Sequence, residues 1–347
     1  MPANTTTGAR TIWAFIWEDD NSYAQDPGEP ADDDWKPFGD REQINEPDSS
    51  NQSETLYRPG SRVPSRYLEG GFDGSWGVDF IYTNPYWMGF VLGEPEVDEN
   101  NGEYTLTYEE SQENPPRSAH LIEETHYSDG TVEHTVYVGA VVDDPDIDVG
   151  VDDVVDVSLS GAFATEFNYE LGDSPYDEIG DQPDTNFCPL HFGNADLYID
   201  IDDDGSAERM PRVQQLTFNF NTTVEPEYEL GTRFAVVPSF LALEPNVQYN
   251  RFVSDDSKSD ERRSFYGSLE NDTPAESFCD GSNIAGRVEL FSRKSDEVNE
   301  ARFMWNESFP ESYQRTNTGD PESALEDDVE RNVLDISVTA TIDEEPR

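Results

Sequence analysis

The chain has 347 residues, and its 76 Asp and Glu residues outnumber its 21 Lys and Arg residues to give a formal net charge of −55. This charge excludes a protein that coats duplex DNA by neutralising phosphates, and it excludes one that sits on an anionic membrane. The 19 Phe, 16 Tyr and 6 Trp residues exclude a disordered acidic tail, because such tails lack aromatic side chains.

Lysine is scarce, since only Lys36, Lys258 and Lys294 accompany 18 arginines. So acidic a surface repels itself at low salt, whereas molar salt shortens the Debye length to ~3 Å and screens the repulsion. We therefore expect a protein of a haloarchaeon or of a virus with such a host. The apolar run at residues 12–17 is too short for a signal-peptide core, and no stretch approaches the ~18 apolar residues of a spanning helix.

In chain order, the first 66 residues read as one strand and a long polar region. Thr11 to Trp17 predicts the strand. Residues 18–66 contain six prolines and almost no aliphatic side chains, which predicts a loop.

The clearest strand signal runs from Phe72 to Tyr82, where apolar and polar residues alternate. A short apolar helix is predicted next, with Asn84 as its N-cap, Pro85 at its first position and Gly93 at its end. Further strands are predicted at 104–108, 119–127, 131–142 and 154–159, with a hairpin turn at Asp129-Gly130. Residues 170–186 again read as an acidic loop.

The second half of the chain also consists of short predicted strands separated by polar segments. Strands are predicted at 197–201, 216–221, 287–291, 301–305 and 334–342, and a polar excursion at 254–283. A helix is predicted from Asp320 to about Asn332. The sum is a mainly β, sandwich-like protein with one or two short helices. We divide it into an N-terminal strand with an acidic arm (1–66) and two β half-domains (67–170 and 186–347); a duplicated fold is an open alternative.

Few residues suggest metal binding. Cys188 and His191 have the C-x-x-H spacing of zinc ligands, and Cys279 is a third candidate ligand. A structural zinc site needs four ligands, so these three residues do not predict one. The two cysteines are therefore expected to be two free thiols or one disulfide. Asp200, Asp202 and Asp204 begin like a calcium loop. Its twelfth position is Pro211 rather than a bidentate acid, which favours an acidic turn, although Glu208 at position nine partly compensates.

Residues typical of catalysis are equally scarce. His120, His126 and His134 fall in the predicted hairpin, where strand histidines are more often surface or barrel residues than ligands. The chain has no phosphate-binding loop, dinucleotide fingerprint or nucleophile elbow. We therefore predict no catalytic residues, no metal site and no cofactor, and we do not expect an enzyme.

Three segments, taken in the order in which they occur in the chain, resemble a known protein family. They are Tyr67–Met88 (YLEGGFDGSWGVDFIYTNPYWM), Tyr137–Asp143 followed by Val154–Leu159, and Val213–Asn221 followed by Val224-Glu225-Pro226 and Leu230-Gly231. Together they resemble the major tail tube proteins of tailed viruses over most of residues 67–342. The resemblance implies a β-sandwich whose inner sheets join between subunits into a barrel around a channel for genome DNA.

This resemblance implies a structural protein of the virion tail that is assembled in the host cytoplasm. Its partners would be other copies of itself in rings and stacks, the terminator, tape-measure and distal tail proteins, and DNA in transit without specific binding; no membrane partner is expected. Three subunits with duplicated folds would mimic a six-fold ring. Residues 18–66 would then form an arm between subunits, with aromatic residues and arginines for the interface: Tyr23, Trp35, Phe38, Tyr57, Arg58, Arg62 and Arg66.

Other classes stay open. A baseplate, tail-completion or capsid-decoration protein would share the β composition. A halophilic adhesin or carbohydrate-binding sandwich would need exposed aromatic residues and calcium, and a hydrolase would need a catalytic constellation.

Overall fold

The computed structural model describes residues 10–18, 23–24, 35–57, 64–100, 103–110, 115–150, 154–170, 189–200, 206–229, 232–252, 284–292, 300–317 and 325–342. These segments form a mainly β protein, in agreement with the prediction. The strands are β1 Arg10–Trp17, β2 Asp40–Tyr57, β3 Pro64–Ile81, β4 Glu96–Asn100, β5 Glu103–Glu109, β6 Ala119–His126, β7 Val132–Gly150, β8 Val155–Phe163, β9 Thr165–Glu170, β10 Leu190–Ile199, β11 Glu208–Arg209, β12 Val213–Asn219, β13 Thr222–Tyr228, β14 Ala235–Leu243, β15 Asn246–Phe252, β16 Gly286–Ser292, β17 Glu300–Trp305, β18 Glu307–Asn317, β19 Leu325–Leu334 and β20 Ser337–Ile342.

Eight antiparallel strands form the large sheet, in the order β2-β3-β8-β7-β12-β15-β19-β18. Strand β7 is 19 residues long and serves two sheets. Its second part pairs with β8 and β12, and its first part pairs with β6 and β9, while β1 extends this side sheet from β6. The strand changes sheets at Gly139, whose φ of +70° is accessible mainly to glycine.

A second sheet covers one face of the large sheet, in the order β11-β10-β16-β17-β20-β5-β4. The apolar side chains of the two sheets form one continuous core. Phe218 on β12, for example, lies 5.4 Å from Phe303 and 6.4 Å from Trp305 between ring centroids. Burial of such aromatic residues is the main source of stability in this kind of sandwich. A separate hairpin, β13–β14, leaves the large sheet between β12 and β15.

Strand order in the large sheet repeats. The large sheet consists of two quartets of neighbouring strands, β2-β3-β8-β7 and β12-β15-β19-β18. In each quartet, the strands that lie side by side are the first, second, fourth and third in the chain. The quartets lie side by side and join through β7 and β12. The chain therefore contains the same four-stranded arrangement twice.

The predicted short helix is present between β3 and β4. It begins as a 3₁₀ turn at Tyr86–Met88 and continues as α1, Gly89–Leu92. The Asn84 side chain accepts a hydrogen bond from the Tyr86 backbone N–H, and Gly93 ends α1 with a φ of +83°. The apolar helix side chains are fully buried, which fixes this crossing over the core.

Two predictions are wrong. Residues 40–57 form strand β2, and not a loop, because their backbone completes the ladder of β3. The boundary drawn at residue 66 therefore falls inside β3 and separates most of β3 from its partner β2. Trp35 and Phe38 belong to apolar cores, so this part of the proposed arm is interior structure. The helix predicted over 320–332 is also wrong, because β19 occupies 325–334 and its alternate residues Val329 and Val333 point into the core.

Most of the predicted strands are confirmed, including the 72–82 strand inside β3 and the 119–142 hairpin with its turn at Asp129-Gly130. Strands β4, β9, β11, β13, β14, β15 and β18 were not predicted. The predicted loops at 171–186 and 254–283, and Arg58 and Arg62, lie outside the described residues.

Candidate functional site

The outer face of the large sheet is the most distinctive surface of the molecule. Alternation along each strand places apolar side chains in the core and polar side chains on the opposite face. Among the side chains described on this outer face, none is a lysine or an arginine. Its carboxylates include Asp48, Asp73, Asp79, Asp144, Asp146, Asp148, Asp156, Glu326, Asp328 and Glu330.

The carboxylates are densest along β7. Asp144, Asp146 and Asp148 follow one another on the same side of the strand, and Asp156 on β8 lies directly opposite Asp148. Partial burial, and then the charges of Asp144 and Asp148, raise the pKa of Asp146. Like charges this close repel one another, so this row is an electrostatically costly feature of the sheet.

Neutral side chains hydrogen-bond to several of these carboxylates. Thr217 Oγ1 donates to Asp148 Oδ1 at 3.3 Å, Ser158 Oγ to Asp79 Oδ1 at 2.5 Å and Ser312 Oγ to Glu330 Oε2 at 3.2 Å. The remaining outer positions are mostly Ser, Thr, Asn and Gln. Such a face repels a phosphate backbone, and its described side chains include no cation that could release the counterions of the phosphates.

The described cations of the same strands lie on the opposite, inner face. Arg251 and Arg331 are among the largest fully buried side chains, and Arg315 binds Asp327 through two hydrogen bonds of 2.7 and 3.0 Å. Asp327 is also 3.9 Å from Arg251. Among the described side chains, the sheet therefore places its arginines inside, around Asp327, and most of its carboxylates outside.

Both edges of the large sheet are open within the described residues. Strand β2 forms a ladder with β3 and no other described strand, and β18 forms one with β19 alone. Unpaired strand edges are sites at which another chain can add a strand. An acidic face and two open edges are thus combined in one sheet.

The histidines of the predicted hairpin belong to a different, internal arrangement. Glu18 accepts from the Gly139 backbone N–H at 2.9 Å and lies 2.9 Å from His120 Nε2. Glu124 lies 2.6 Å from His126 Nε2 and 2.9 Å from His134 Nε2. His134 and Glu124 are fully buried, so the expectation of surface or barrel histidines is wrong for His134.

Sequence reasoning missed the two buried glutamates. In a chain with so many acids, no local signal distinguishes them from solvent-exposed ones. In the structure Glu124 is hydrogen-bonded to His126 and His134, and Glu18 lies beside His120. Their role is structural support of the side sheet of β1, β6, β7 and β9.

The candidate metal ligands are not brought together within the described residues. His191 Nδ1 accepts a hydrogen bond of 2.9 Å from the Gly193 backbone N–H, and Asp200 is buried with its N–H bound to the Ala285 carbonyl. Cys188, Cys279, Asp202 and Asp204 lie outside the described residues. The described part of the chain contains no cluster of three or more His, Cys, Asp or Glu side chains suited to a metal ion.

A cavity of about 380 Å³ lies beside α1 and the edge strand β4. Trp17, Tyr86, Tyr104 and Tyr108 are among the aromatic residues that line it. Two cations also line it: Arg117 lies 5.0 Å from the Trp17 ring, and the Lys36 ammonium lies 5.9 Å from the Tyr86 ring. This chemistry suits a small planar or anionic group.

A scan against protein-family models finds no match to the chain, and a search of curated proteins finds no significant relative. No helix in the described part of the chain combines the length and the apolar character needed to cross a membrane.

Proposed function

We propose that the chain is the major tail tube subunit of a tailed virus with a halophilic host, and that its large sheet lines the channel through which genome DNA passes. The observation that carries the proposal is the outer face of this sheet, on which the described side chains include many carboxylates and no cation. The resemblance of Tyr67–Met88 and the two later segments to tail tube proteins supports the same function.

The electrostatics suit a conduit. DNA must move through a tube without being held, and binding of DNA is driven largely by counterion release from lysine and arginine contacts. The described side chains of this wall are carboxylates, Ser, Thr, Asn and Gln, which offer no such contacts. Because halophilic surfaces are acidic in general, the decisive feature is the placement of Arg251, Arg315 and Arg331 on the inner face and not on the outer one.

The open edges suit ring formation. A barrel made of several copies removes the exposed edges of β2 and β18. The repeated quartet favours a ring of three copies, each of which supplies two equivalent four-stranded segments. Rings would then stack into the tube, and the other tail proteins would bind at its ends.

The far part of the β2–β3 hairpin suits contacts between rings. Pairing of β3 with β8 begins at Gly74, whereas pairing with β2 continues to Pro64. Residues 50–57 and 64–73 therefore form a two-stranded extension beyond the sheet. This extension replaces residues 18–66 as the proposed arm.

Assembly and the charge of the wall are tested together. Purified protein in molar salt is examined by negative-stain microscopy, and the expected result is stacked rings. A variant with Asp144, Asp146 and Asp148 changed to Lys should still assemble and should retain added duplex DNA, whereas the matched Asn variant should not. Discrete particles at every salt concentration would favour an adhesin or a hydrolase, and single unstacked rings would favour another virion protein.

A further inference from the structure

We propose that the cavity beside α1 and β4 binds a small aromatic monocarboxylate, whose ring packs against Trp17 and the tyrosines of the cavity and whose carboxylate binds Arg117. None of the described residues that line the cavity belongs to the acidic outer face of the large sheet. The proposal therefore concerns a second site, and it does not depend on the tail tube function.

The cavity has the size and the walls that such a ligand needs. Its volume is about 380 Å³, within the range of ~300–1,000 Å³ that is typical of small-molecule sites. Strand β5 supplies one wall, because Tyr104, Leu106 and Tyr108 are two residues apart and therefore share one face of the strand. Tyr86 adds a further aromatic ring from the 3₁₀ turn. Aromatic walls of this kind favour a flat ring, which they can contact by stacking or edge to face.

Trp17 is held in place by the core before any ligand binds. The centroid of its ring lies 5.0 Å from that of Phe15 and 4.7 Å from that of Phe90. The ring also lies directly on Gly89, where an added Cβ would come within 2.6 Å of a ring carbon. A side chain that is already fixed loses little conformational entropy when a ligand packs against it, so this wall is preorganised for binding.

Arg117 is placed to bind the carboxylate of the ligand. Its backbone N–H donates a hydrogen bond of 3.0 Å to the Gly89 carbonyl, and its guanidinium lies 5.0 Å from the Trp17 ring. Among the described residues, no carboxylate forms an ion pair with this guanidinium. A guanidinium can keep its face on an aromatic ring while its edge donates two hydrogen bonds to one carboxylate. The ring and the charge of the ligand would therefore be bound side by side.

The charges around the cavity favour a ligand with one negative charge. The described side chains that line it include two cations, Lys36 and Arg117, and one carboxylate, Glu94, which is a formal balance of +1 in a chain of net charge −55. Lys36 is one of three lysines in the chain and is 9% exposed. Molar salt screens the long-range repulsion between an anion and the acidic surface, so the contacts inside the cavity decide binding. A dianion would leave one of its charges unbalanced, which favours a carboxylate over a phosphate ester.

Calorimetric titration of the full chain in molar potassium chloride tests the ligand class with four probes. Naphthoate has the flat ring and the single charge. Naphthamide keeps the ring without the charge, cyclohexanecarboxylate keeps the charge without the flat ring, and naphthyl phosphate carries a second charge. Naphthoate is expected to bind saturably, with one molecule per chain, and each of the other three probes is expected to bind at least tenfold more weakly.

Three variants locate the bound probe. Arg117→Gln should weaken naphthoate binding roughly tenfold to a hundredfold, because a hydrogen-bonded charge pair is lost, and should leave the affinity for naphthamide unchanged. Arg209→Gln is the matched control, since it removes the same charge from a side chain on β11 that is 65% exposed, and it should have no effect. Val97→Trp adds a large ring at the cavity on the edge strand β4, where Val97 is 52% exposed, and should abolish binding of naphthoate.

Four results would overturn the proposal. They are the absence of saturable naphthoate binding at millimolar concentrations, equal affinity for naphthoate and naphthamide, an equal loss of affinity in Arg117→Gln and Arg209→Gln, and undiminished binding by Val97→Trp. The unfolding midpoint of each variant is measured beside its affinity. If Arg117→Gln does not fold, the comparison of naphthoate with naphthamide on the unaltered chain decides the role of the charge. Each of these results leaves the proposed tail tube function intact, because that function does not use the cavity.

Discussion

The hydroxyl of Tyr228 donates a hydrogen bond of 2.8 Å to the carbonyl of Phe72, and so ties the β13–β14 hairpin of the second quartet to the first quartet. The contact joins residues 156 positions apart in the chain. Together with the ladder between β7 and β12, it makes the two quartets one continuous sheet rather than two independent domains.

Trp76 is the residue whose replacement should damage the large sheet most clearly. Its side chain is 4% exposed, and its indole N–H lies 3.1 Å from the Val141 carbonyl and 3.2 Å from the Ala162 carbonyl. Trp76→Asp places an unpaired charge in the core and should cost several kcal/mol of unfolding free energy. Denaturant unfolding in molar salt measures this loss of unfolding free energy. The Trp76→Asp variant should also fail to assemble.

The matched variant Trp76→Phe keeps an aromatic ring and loses the hydrogen-bond donor, so a smaller loss of about 1–3 kcal/mol is expected. Phe218→Asp on β12 should reproduce the damage of Trp76→Asp, because Phe218 is 1% exposed on the same sheet. Normal assembly of either Asp variant would show that these strands do not form the assembling sheet.

Salt should control both folding and association. A net charge of −55 produces long-range repulsion that molar salt screens, whereas the Debye length grows to ~10 Å at 0.1 M. Circular dichroism and light scattering during dilution from molar salt to about 0.1 M should therefore show loss of assembly or of structure. Unchanged spectra and particle size across the titration would contradict this account of the charge.

Asp146 should make the sheet sensitive to pH. Its pKa is raised by burial and by its neighbours Asp144 and Asp148. At neutral pH the ionised carboxylate therefore lowers the free energy of unfolding. This loss is relieved as the pH falls through the pKa of Asp146 in the folded state. Asp146→Asn is expected to raise the unfolding midpoint at pH 7. The gain should disappear in acid, where the wild-type carboxyl is protonated in both states.

Asp129 provides the matched control for this measurement. Its pKa is lowered because its carboxylate accepts a hydrogen bond from the Thr131 backbone N–H at 2.9 Å. Asp129→Asn should therefore give no stabilisation at pH 7. If both Asn variants stabilise the protein equally, general charge reduction is the cause and the local repulsion on β7 is not.

The β2–β3 extension should be separable from the fold. Among the described strands, residues 51–57 and 64–70 pair only with each other, and the ladder of β3 with β8 begins later, at Gly74. Replacing 51–70 by an Asn-Gly turn should leave the cooperative unfolding transition in place and prevent stacking of rings. A deletion that begins at residue 20 would be uninformative, because it also removes the buried Trp35 and Phe38.

The strands that could be predicted from the sequence are those in which apolar and polar residues alternate strongly. The residues from Phe72 to Tyr82, the hairpin at Asp129-Gly130 and the short helix after Asn84 carry local signals that burial in the structure explains. Strand β2 carries none, since its residues are polar and its pairing is imposed by β3. Strand β19 carries a misleading signal, because Asp320-Pro321-Glu322 resembles a helix start and because Val329 and Val333, four residues apart, fit one face of a helix as well as one face of a strand.

The candidate site was predictable only in outline. Total charge indicated an acidic surface, yet composition cannot say that Asp144, Asp146 and Asp148 share a face with Asp328 and Glu330 from a strand nearly two hundred residues later. That convergence follows from the order of strands in the large sheet. The inward placement of the arginines has the same origin, because Arg251 and Arg315 reach Asp327 only across two ladders.

The central claim is that the acidic face of the large sheet lines a channel, and an electron cryomicroscopy reconstruction of the protein assembled in molar salt tests it most directly. The account predicts a hollow tube whose inner wall is a continuous sheet, with Asp144, Asp146 and Asp148 facing the lumen and Arg251 and Arg331 behind them. A tube whose inner wall is another surface of the chain, with this face turned outward, would contradict it.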